Sequence, residues 1–481
     1  MRRIVVIGDG MVGSRFTADM VAADPEAHIT VLGKEPHAAY NRVLLSSVVA
    51  GSKTPDLLSI AAPPHPRVSV LTGVGAESID SELGMVIDDR GIAHPYAELV
   101  IAAGSQARVP PIQGVADPDG LVDGAFVLKD LADAEQIVAH SARARRAVVL
   151  GAGVLGIEVA TGLARRGLSV RIVHVADRLM ERQLGWDASA VAQASLRRLG
   201  IEPHVGASIA GVVTHRGRVS SVRLEDGSEI ATDMLVMCCG TIPETLLARK
   251  AGLVVDRGVV VDERMETSHG RIFAIGDCAQ PAEGARGLVA QGWDQAQRLV
   301  RVLTGGDGGA AQAPATSDVV RVKAPGMALV AMGICGDFDR TDPRYRVVSL
   351  KDPEGGRYLE VVVADGKLVG ATCIGDAAVA ASLSAMYTRE MAVPGDPALL
   401  LVRALSGSAP MAKEPRDLAD EDKVCNCNTV TAGTIRAAIH DGCDSVGDIA
   451  VATRATTGCG DCTSIVTGLL ACAREGTPVA G

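Results

Sequence analysis

The sequence predicts an α/β protein with two Rossmann-like dinucleotide-binding domains, a small α+β module and a small helical C-terminal domain. A short apolar strand, a G-x-G-x-x-G turn and a helical pattern follow one another twice, at Arg3–Arg15 (RIVVIGDGMVGSR) and Ala147–Glu158 (AVVLGAGVLGIE). Two such fingerprints, each inside a plausible β-α-β unit, are a stronger indication than one. The length of 481 residues suits about three domains.

Composition argues against two classes of partner. Acidic residues outnumber basic ones, 57 to 47, and the formal net charge is −10, whereas nucleic acid binding needs a positive surface. No apolar run reaches the roughly 18 uncharged residues that cross a bilayer, because the best candidate, Ala371–Thr388, contains Asp376. The first residues pass directly into a buried strand and do not resemble a signal peptide. We therefore expect a cytoplasmic protein with no nucleic acid and no membrane partner.

The two glycine fingerprints have the same physical role. Glycine lets the backbone approach a pyrophosphate, and the N-terminus of the following helix offers unpaired N–H groups to the phosphates. A glycine-rich turn without a ligand is the alternative for either motif alone, but the repetition favours two nucleotide sites. The glycines concerned are Gly8, Gly10 and Gly13 in the first motif and Gly151, Gly153 and Gly156 in the second.

An acidic residue after the second strand usually completes such a site by accepting hydrogen bonds from a ribose. Glu35 has this position in the first unit, with a solvated surface glutamate as the alternative. In the second unit His174 stands at the strand end, Arg178 follows nearby, and the strand end carries no acid. A carboxylate would repel the 2′-phosphate of NADPH, whereas these two side chains would tolerate it. The choice of nicotinamide cofactor stays open, with NADH slightly favoured.

The order of the motifs resembles that of the pyridine-nucleotide-dependent flavoprotein oxidoreductases over about Arg2 to Gly305. It includes the strand LVIAAG and the segment RIFAIGDCA besides the two fingerprints. The resemblance implies that the first fingerprint binds FAD and the second binds NAD(P)H. It places an FAD-binding domain at residues 1–115 and 241–305, and an NAD(P)H-binding domain at residues 116–240.

The same resemblance implies roles for single residues. Asp277, in the second FAD motif, binds the ribityl chain of the flavin cofactor. Glu158 positions the nicotinamide cofactor and is not expected to move protons, and no catalytic acid or base is assigned. The other implied cofactor-binding residues are Ala103, Gly104, Gly240 and Gly276.

The segment EPHAAYNRVLLSS, which begins at Glu35, is similar to the flavin region of two narrower families. These are the NAD(P)H nitrite reductase large subunits and the electron-transfer subunits of assimilatory nitrate reductase. The similarity implies that Arg42 pairs with an FAD phosphate and that Ser46 belongs to the flavin site. Asn41 departs from the pattern, because an aspartate is expected there. Residues 36–60 contain no cysteine, so flavin electrons cannot leave through the dithiol that disulfide reductases carry in this region.

Six of the 11 cysteines follow residue 424. Cys425 and Cys427 form a C-x-C pair, and Cys459 and Cys462 form a C-x-x-C pair, which together predict a four-thiolate metal site. By spacing alone, zinc and a [2Fe–2S] cluster are equal alternatives. The segments VCNCNTV, IRAAIHDG and TTGCGDC resemble the bacterioferritin-associated-ferredoxin-like [2Fe–2S] domain, which would occupy residues 423–475. This resemblance, and the need for a one-electron outlet from the flavin, favour the iron–sulfur cluster.

The remaining parts of the tail and the body are assigned by composition. Segments 304–317 and 409–423 are predicted linkers because they are polar or rich in glycine and proline. They enclose the small α+β interface domain, at residues 318–405. Cys443 and Cys472 lie outside the cluster motif and are predicted to be buried thiols.

These parts together predict an NAD(P)H-oxidising flavo-iron–sulfur electron-transfer subunit. The cysteines of the body lack the spacing of a sirohaem-linked cluster, and no molybdenum-binding domain is apparent, so we expect the substrate reductase on a separate chain. Assimilatory nitrate reductase is the favoured partner. The alternatives are nitrite reductase, a ferredoxin-like acceptor, or a role as a flavin and iron–sulfur redox sensor.

Overall fold

The computed structural model describes residues 2–285, 287–307, 318–324, 326–401, 414–425, 428–458, 460 and 462–475. Two of the four predicted cluster ligands, Cys427 and Cys459, lie outside the described residues, as do residues 308–317 and 409–413 of the predicted linkers. The predicted fold class is confirmed, since helices and strands alternate through an α/β body. Within the described parts of the chain, no helix is long and apolar enough to cross a membrane.

The N-terminal part begins with the first predicted β-α-β unit. Its strands are β1 (Arg2–Ile7), β2 (Ala27–Gly33), β3 (Val68–Thr72), β4 (Ala76–Asp80), β5 (Met85–Asp88), β6 (Ala93–Pro95), β7 (Glu98–Ile101) and β8 (Ser105–Ala107). Its helices are α1 (Met11–Ala23) and α2 (Leu45–Val49). β1 pairs in parallel with both β2 and β7, so the first glycine turn lies at the carboxyl end of a central strand, where α/β folds bind ligands.

The second part repeats this arrangement. Its strands are β9 (Ala116–Asp117), β10 (Gly120–Leu121), β11 (Ala125–Val127), β12 (Arg146–Leu150), β13 (Ser169–His174), β14 (Ile201–Val205), β15 (Ile209–His215), β16 (Arg218–Leu224), β17 (Glu229–Ala231), β18 (Met234–Met237) and β19 (Thr241–Pro243). Its helices are α3 (Leu131–Ser141), α4 (Val154–Arg165) and α5 (Trp186–Arg198). The central parallel sheet has the order β11-β18-β12-β13-β14.

The chain then returns to the first sheet. The returning elements are α6 (Leu246–Lys250), β20 (Val259–Val260), β21 (Ile272–Ala274), β22 (Ala279–Gln280) and α7 (Val289–Leu303). β21 pairs in parallel with β7, which gives the order β21-β7-β1-β2-β3. The two connections between the nucleotide-binding parts, β8 and β19, pair with each other in antiparallel fashion. A parallel sheet is covered on both faces, which explains the continuous apolar runs of β1 and β12.

An antiparallel module follows. It consists of β23 (Val320–Ala324), β24 (Met327–Gly333), β25 (Arg346–Asp352), β26 (Arg357–Ala364), β27 (Lys367–Ile374) and α8 (Ala377–Thr388), with the sheet order β23-β24-β27-β26-β25. Val322 of β23 and Leu329 of β24 belong to the same apolar cluster as Ile157 and Leu163 of α4. The module therefore packs directly on the second nucleotide-binding part.

The tail forms a separate small helical unit with its own apolar cluster. Its elements are β28 (Lys423–Cys425), β29 (Val430–Thr431), α9 (Ala432–His440), α10 (Val446–Thr453) and α11 (Thr463–Glu475). The first two of these helices lie between the two cysteine pairs. Cys443 and Cys472 are half-buried, so the prediction that both are buried thiols is wrong.

Candidate functional site

The first glycine turn has the shape that a pyrophosphate requires. A Cβ on Gly8 would lie under 3.0 Å from the carbonyl oxygen of Ala102, and one on Gly13 would clash equally with the carbonyl oxygen of Gly8. At Gly10, in contrast, a Cβ would meet only Arg42 Nε, at 4.0 Å. Gly10 is also the N-cap of α1, and no side chain caps that helix. The turn is closed on its protein side and open at the helix N-terminus, so it fits a dinucleotide phosphate.

The second glycine turn has the same construction. A Cβ on Gly151 would lie under 3.0 Å from the carbonyl oxygen of Cys238, and one on Gly156 would clash with the carbonyl oxygen of Gly151. A Cβ on Gly153 would meet nothing within 4 Å, and this residue is the uncapped N-cap of α4. Both predicted fingerprints therefore have the local geometry of nucleotide-binding turns.

A cluster of polar side chains lies beside the first turn. Glu35 lies two residues after the end of β2 and is bonded to Arg42 through one carboxylate oxygen, while Tyr40 donates to the other at 2.5 Å. The Arg42 guanidinium also lies 4.8 Å from the centre of the Tyr40 ring. Glu35 and Arg42 thus meet at the open side of Gly10, where their predicted partners, a ribose and a phosphate, would be bound.

Asp9 lies inside the first turn, between Gly8 and Gly10. Burial raises the pKa of its carboxyl to about 6, and the nearby Arg42 charge and a backbone hydrogen bond from Ala39 only partly oppose this. A carboxylate at this place therefore carries an electrostatic cost in the cofactor-free protein.

Asp277 lies in a 3₁₀ turn, Gly276–Cys278, that follows β21. Ser105 Oγ donates to Asp277 Oδ2 at 2.8 Å, and Lys129 Nζ donates to Ser105 Oγ at 2.6 Å. Lys129 Nζ is itself 3.7 Å from Asp277 Oδ2. Burial lowers the pKa of Lys129 against the opposing pull of Asp277. The ribityl role of Asp277 stays a prediction, and the structure adds Lys129 and Ser105 at the same place.

Glu158 joins three parts of the chain. Its side chain is 3% exposed. Ser46 Oγ of α2 donates to Glu158 Oε2 at 2.5 Å, and the Lys323 N–H of β23 donates to Oε1 at 2.7 Å. Lys323 Nζ lies 3.5 Å from the same Oε1. Ser46 and Glu158, both predicted as cofactor-site residues, are therefore in direct contact.

The end of β13 differs from the sequence-based expectation. His174 is buried, its Nδ1 accepts from the Ala152 N–H at 3.3 Å, and its Nε2 lies 3.0 Å from Glu181 Oε2. Arg178 is also buried and pairs with Asp337 of the antiparallel module. The expectation that no acid lies at this strand end is therefore wrong, because the loop after β13 places the Glu181 carboxylate next to His174. Although partial burial opposes the effect, the His174 hydrogen bond lowers the pKa of Glu181.

Ala103, Gly104 and Gly240 lie at the crossings between the two nucleotide-binding parts. Gly104 has φ +71° and Gly240 has φ +86°, and a Cβ on either would meet nothing within 4 Å. The carbonyl oxygen of Gly240 accepts from the Arg108 N–H at 3.0 Å. Gly104 and Gly240 leave open space next to the backbone, as a cofactor that spans both parts would need.

Two of the predicted cluster ligands are described, and they lie together. A hydrogen bond with Cys462 is the main cause that lowers the pKa of Cys425 to about 6. The Thr456 N–H donates to Cys462 Sγ at 3.2 Å, and Asn428 Nδ2 lies 3.9 Å from Cys425 Sγ. Donors directed at both sulfurs favour thiolates, the form in which cysteine binds metal. The donor set described here fits a metal cluster.

Sequence reasoning missed four polar residues of these sites: Tyr40, Ser105, Lys129 and Glu181. Two of them had a signal in the sequence. Tyr40 lies in the segment that resembles the flavin region, and Glu181 lies in LMERQL, residues 179–184, which adds to the same resemblance. Ser105 and Lys129 lie outside the quoted motifs and reach their positions through tertiary structure.

Two dinucleotide turns in one α/β body, joined to a domain of paired cysteines, define a nucleotide-dependent oxidoreductase with an appended metal-cluster domain. A model of the family described as pyridine nucleotide-disulphide oxidoreductase matches residues 2–300. A model described as BFD-like [2Fe-2S] binding domain matches residues 423–471. The chain belongs to the pyridine nucleotide-disulphide oxidoreductase family. Its cofactors are FAD, NAD(P)H and a [2Fe–2S] cluster, as predicted, and the zinc alternative is set aside.

Two relatives of known name show which members of the family the chain is similar to. The chain is 31% identical to the nitrite reductase [NAD(P)H] of Bacillus subtilis (strain 168) over 98% of its own length and 57% of that relative. It is 30% identical to the assimilatory nitrate reductase electron transfer subunit of the same organism, over 98% of its own length and 59% of that relative. The chain thus spans less than two thirds of either relative.

Solved structures show the same fold. The ferredoxin reductase for the CYP199A2 system from Rhodopseudomonas palustris has a TM-score of 0.71 at 24% identity. The similarity covers 85% of this chain and 100% of that one.

Proposed function

We propose that this chain passes electrons from NADH through FAD to the [2Fe–2S] cluster and then to a reductase on a separate chain. Assimilatory nitrate reductase is the favoured acceptor. Nitrite reductase is the second candidate, because one relative is named for that activity over a similar share of its length.

One observation carries the proposal: the cluster-binding loop packs against the first nucleotide-binding part, next to its phosphate-binding turn. Asn41 Nδ2 donates to the carbonyl oxygen of Thr457 at 2.7 Å, and the adjacent Arg42 lies beside Gly10. This contact supports direct transfer between the flavin site and the cluster.

The cysteines outside the tail also favour the cluster, and not a dithiol, as the acceptor of the flavin electrons. Those that the structure describes are free thiols. Burial raises the pKa of Cys278, beside Asp277, to about 11 and the pKa of Cys239 to about 11 as well. Thiols that stay protonated are poor nucleophiles and do not favour a dithiol route.

The side chains around the two turns have separable tasks in this proposal. When bound, FAD accepts a hydride from the nicotinamide, and the cluster accepts electrons one at a time. The uncapped N-terminus of α1 and Arg42 hold the diphosphate of FAD, and Asp277 with Lys129 orients the ribityl hydroxyls. The uncapped N-terminus of α4 holds the diphosphate of the nicotinamide cofactor.

The arrangement at the end of β13 supports NADH over NADPH. Glu181 is held there by His174 and remains partly exposed. A carboxylate accepts hydrogen bonds from a ribose diol but repels a 2′-phosphate, while Arg178 is occupied by Asp337. Glu181→Gln is therefore expected to reduce the preference for NADH.

Stopped-flow reduction of the complete chain under anaerobic conditions tests the proposed path. NADH is expected to reduce FAD first and the cluster second, within one turnover. Purified nitrate reductase and nitrite reductase catalytic subunits are then supplied as alternative acceptors. Faster cluster reoxidation by the first supports the favoured partner, and faster reoxidation by the second supports the other candidate. Reduction of the cluster with no turnover on either acceptor, or on a ferredoxin, would point to a redox sensor.

A further inference from the structure

Asn41 connects the flavin-binding part to the cluster loop through its side-chain amide. It is 1% exposed and lies at the N-cap of the 3₁₀ turn Arg42–Leu44, where its Oδ1 accepts from the Val43 N–H at 3.0 Å. Its Nδ2 donates to the carbonyl oxygens of Thr457 and Gly458, at 2.7 and 2.6 Å. The two acceptors directly precede Cys459 in the sequence.

Helix α1 supplies a second set of contacts to the same region. Arg454 Nη1 lies 2.5 Å from Asp19 Oδ1, and Arg15 Nη1 donates to Asn428 Oδ1 at 2.8 Å. Asn428 in turn donates to the carbonyl oxygen of Arg454 at 2.8 Å. The contacts thus hold both the loop before the C-x-x-C pair and the loop after the C-x-C pair.

We infer that Asn41 is a positioning residue that docks the cluster loop at the flavin site, so that electrons cross between the two cofactors in this docked arrangement. The inference rests on the proposed function for its electron-transfer consequence. Asn41 and Arg42 are consecutive, and Arg42 borders the open side of the first glycine turn. A displacement of the loop from Asn41 therefore moves the cluster away from the flavin-binding part.

The chemistry of the contact requires an amide. An aspartate has nearly the same shape and could still accept from the Val43 N–H, so the local turn would be kept. It has no N–H to donate, however, and its charge would face two carbonyl oxygens. In this chain the amide at position 41 therefore matches its two carbonyl acceptors.

Asn41→Asp in the complete chain, loaded with FAD and cluster, is the sharpest test. Each lost hydrogen bond changes an equilibrium by about three- to tenfold, so we expect cluster reduction by the flavin to slow by about ten- to a hundredfold. FAD reduction by NADH and the direct reduction of the cluster by dithionite are expected to keep their wild-type rates. A merely structural defect would alter all three steps.

Amide hydrogen exchange in the complete chain supplies a readout that does not depend on electron transfer. Peptides covering Arg454–Gly458 are expected to exchange faster in Asn41→Asp than in the wild type. Gln106→Glu is the matched control, because it makes the same change from amide to carboxylate on β8, and its described hydrogen bond is to Glu244 and not to the tail. Asp19→Asn weakens the interface at a second place and is expected to slow cluster reduction less, by about three- to tenfold.

The outcomes distinguish the docking role of Asn41 from the proposed electron path. Unchanged exchange and unchanged cluster reduction in both Asn41→Asp and Asp19→Asn would overturn the docking role. The opposite result is faster amide exchange in Asn41→Asp, in a protein whose flavin does not reduce the cluster even in the wild type. It would support the docking contact and overturn the proposed electron path.

Discussion

The contact between Glu158 and Lys323 predicts how much the substitution Glu158→Gln lowers the free energy of unfolding. Glu158→Gln keeps the size of the side chain, and its amide can accept from the Lys323 N–H while donating to Ser46 Oγ. What is lost is the ion pair between Glu158 Oε1 and Lys323 Nζ, which are 3.5 Å apart. The Lys323 side chain is 20% exposed, so it stays partly hydrated when unpaired. We expect a loss of about 1–2 kcal/mol, below the roughly 3–5 kcal/mol of a fully buried pair.

Glu158→Ala should be more damaging. It removes both hydrogen bonds, leaves the Lys323 N–H without its acceptor and opens a cavity beneath β23, for an expected loss of about 3–5 kcal/mol. Urea unfolding measures the free energy of unfolding of both variants. Hydrogen exchange of the Lys323 amide reports directly on its hydrogen bond to Glu158. Lys323→Met, alone and combined with Glu158→Gln, completes a double-mutant cycle in which the second change should add little. Equal losses in the Gln and Ala variants would refute the geometric reasoning.

The same Gln variant tests the role of Glu158 in chemistry. We expect hydride to pass directly from nicotinamide to flavin, with no protein acid or base required for that step. Flavin reduction by Glu158→Gln is therefore expected to be slower at low NADH but to keep the wild-type dependence on pH. Loss of an ionisation from its rate profile would show that Glu158 moves a proton.

Three further predictions concern the cluster, the partner and the first glycine turn. Anaerobically purified protein should contain about one FAD, two iron and two acid-labile sulfides, and Cys459→Ser should lose the cluster absorbance but retain FAD; stoichiometric zinc without sulfide would contradict this. Acidic residues outnumber basic ones from Met411 onward, so electron delivery to the acceptor should slow as salt rises, with little effect on FAD reduction. Delivery that is indifferent to salt would indicate an apolar or permanent contact. Because burial raises the pKa of Asp9 to about 6, the contribution of Asp9 to stability should fall as pH rises from about 4 through 6 in the cofactor-free chain. Asp9→Asn should then gain up to about 3 kcal/mol in unfolding free energy at pH 8 and almost nothing below pH 4, and an equal gain at both would contradict the buried charge.

The parts of the site that sequence predicts well are those whose physics is local. Gly8 and Gly13 must be glycine because a backbone carbonyl lies where a Cβ would stand, and the strand and helix around them are adjacent in sequence. The same holds for the turn at Gly151. Such motifs can be read from a dozen residues.

Other contacts cannot be read in this way because distant segments create them. Lys129 follows β11, whereas its partner Asp277 follows β21, and the two meet only when the chain returns to its first sheet. The sequence alone suggests that Arg178 could face the 2′-phosphate of NADPH, but the antiparallel module places Asp337 against its guanidinium. Glu181 is seven residues beyond His174, and only the loop after β13 brings them together.

The segment from Glu35 to Ser46 shows how these distant contacts converge. Glu35 and Arg42 border the first glycine turn, Tyr40 accepts from the Leu131 N–H of α3 at 2.9 Å, and Ser46 donates to Glu158 of α4. Asn41 holds the cluster loop. One short segment thus contacts the flavin-binding turn, the nicotinamide-binding part and the cluster domain. It cannot move relative to one of them without disturbing the others, so a rigid arrangement of the three sites is the physical consequence. If the proposed electron path is right, we expect transfer between these sites to depend on the contacts of this segment, together with those that Arg15 and Asp19 of α1 make to the tail.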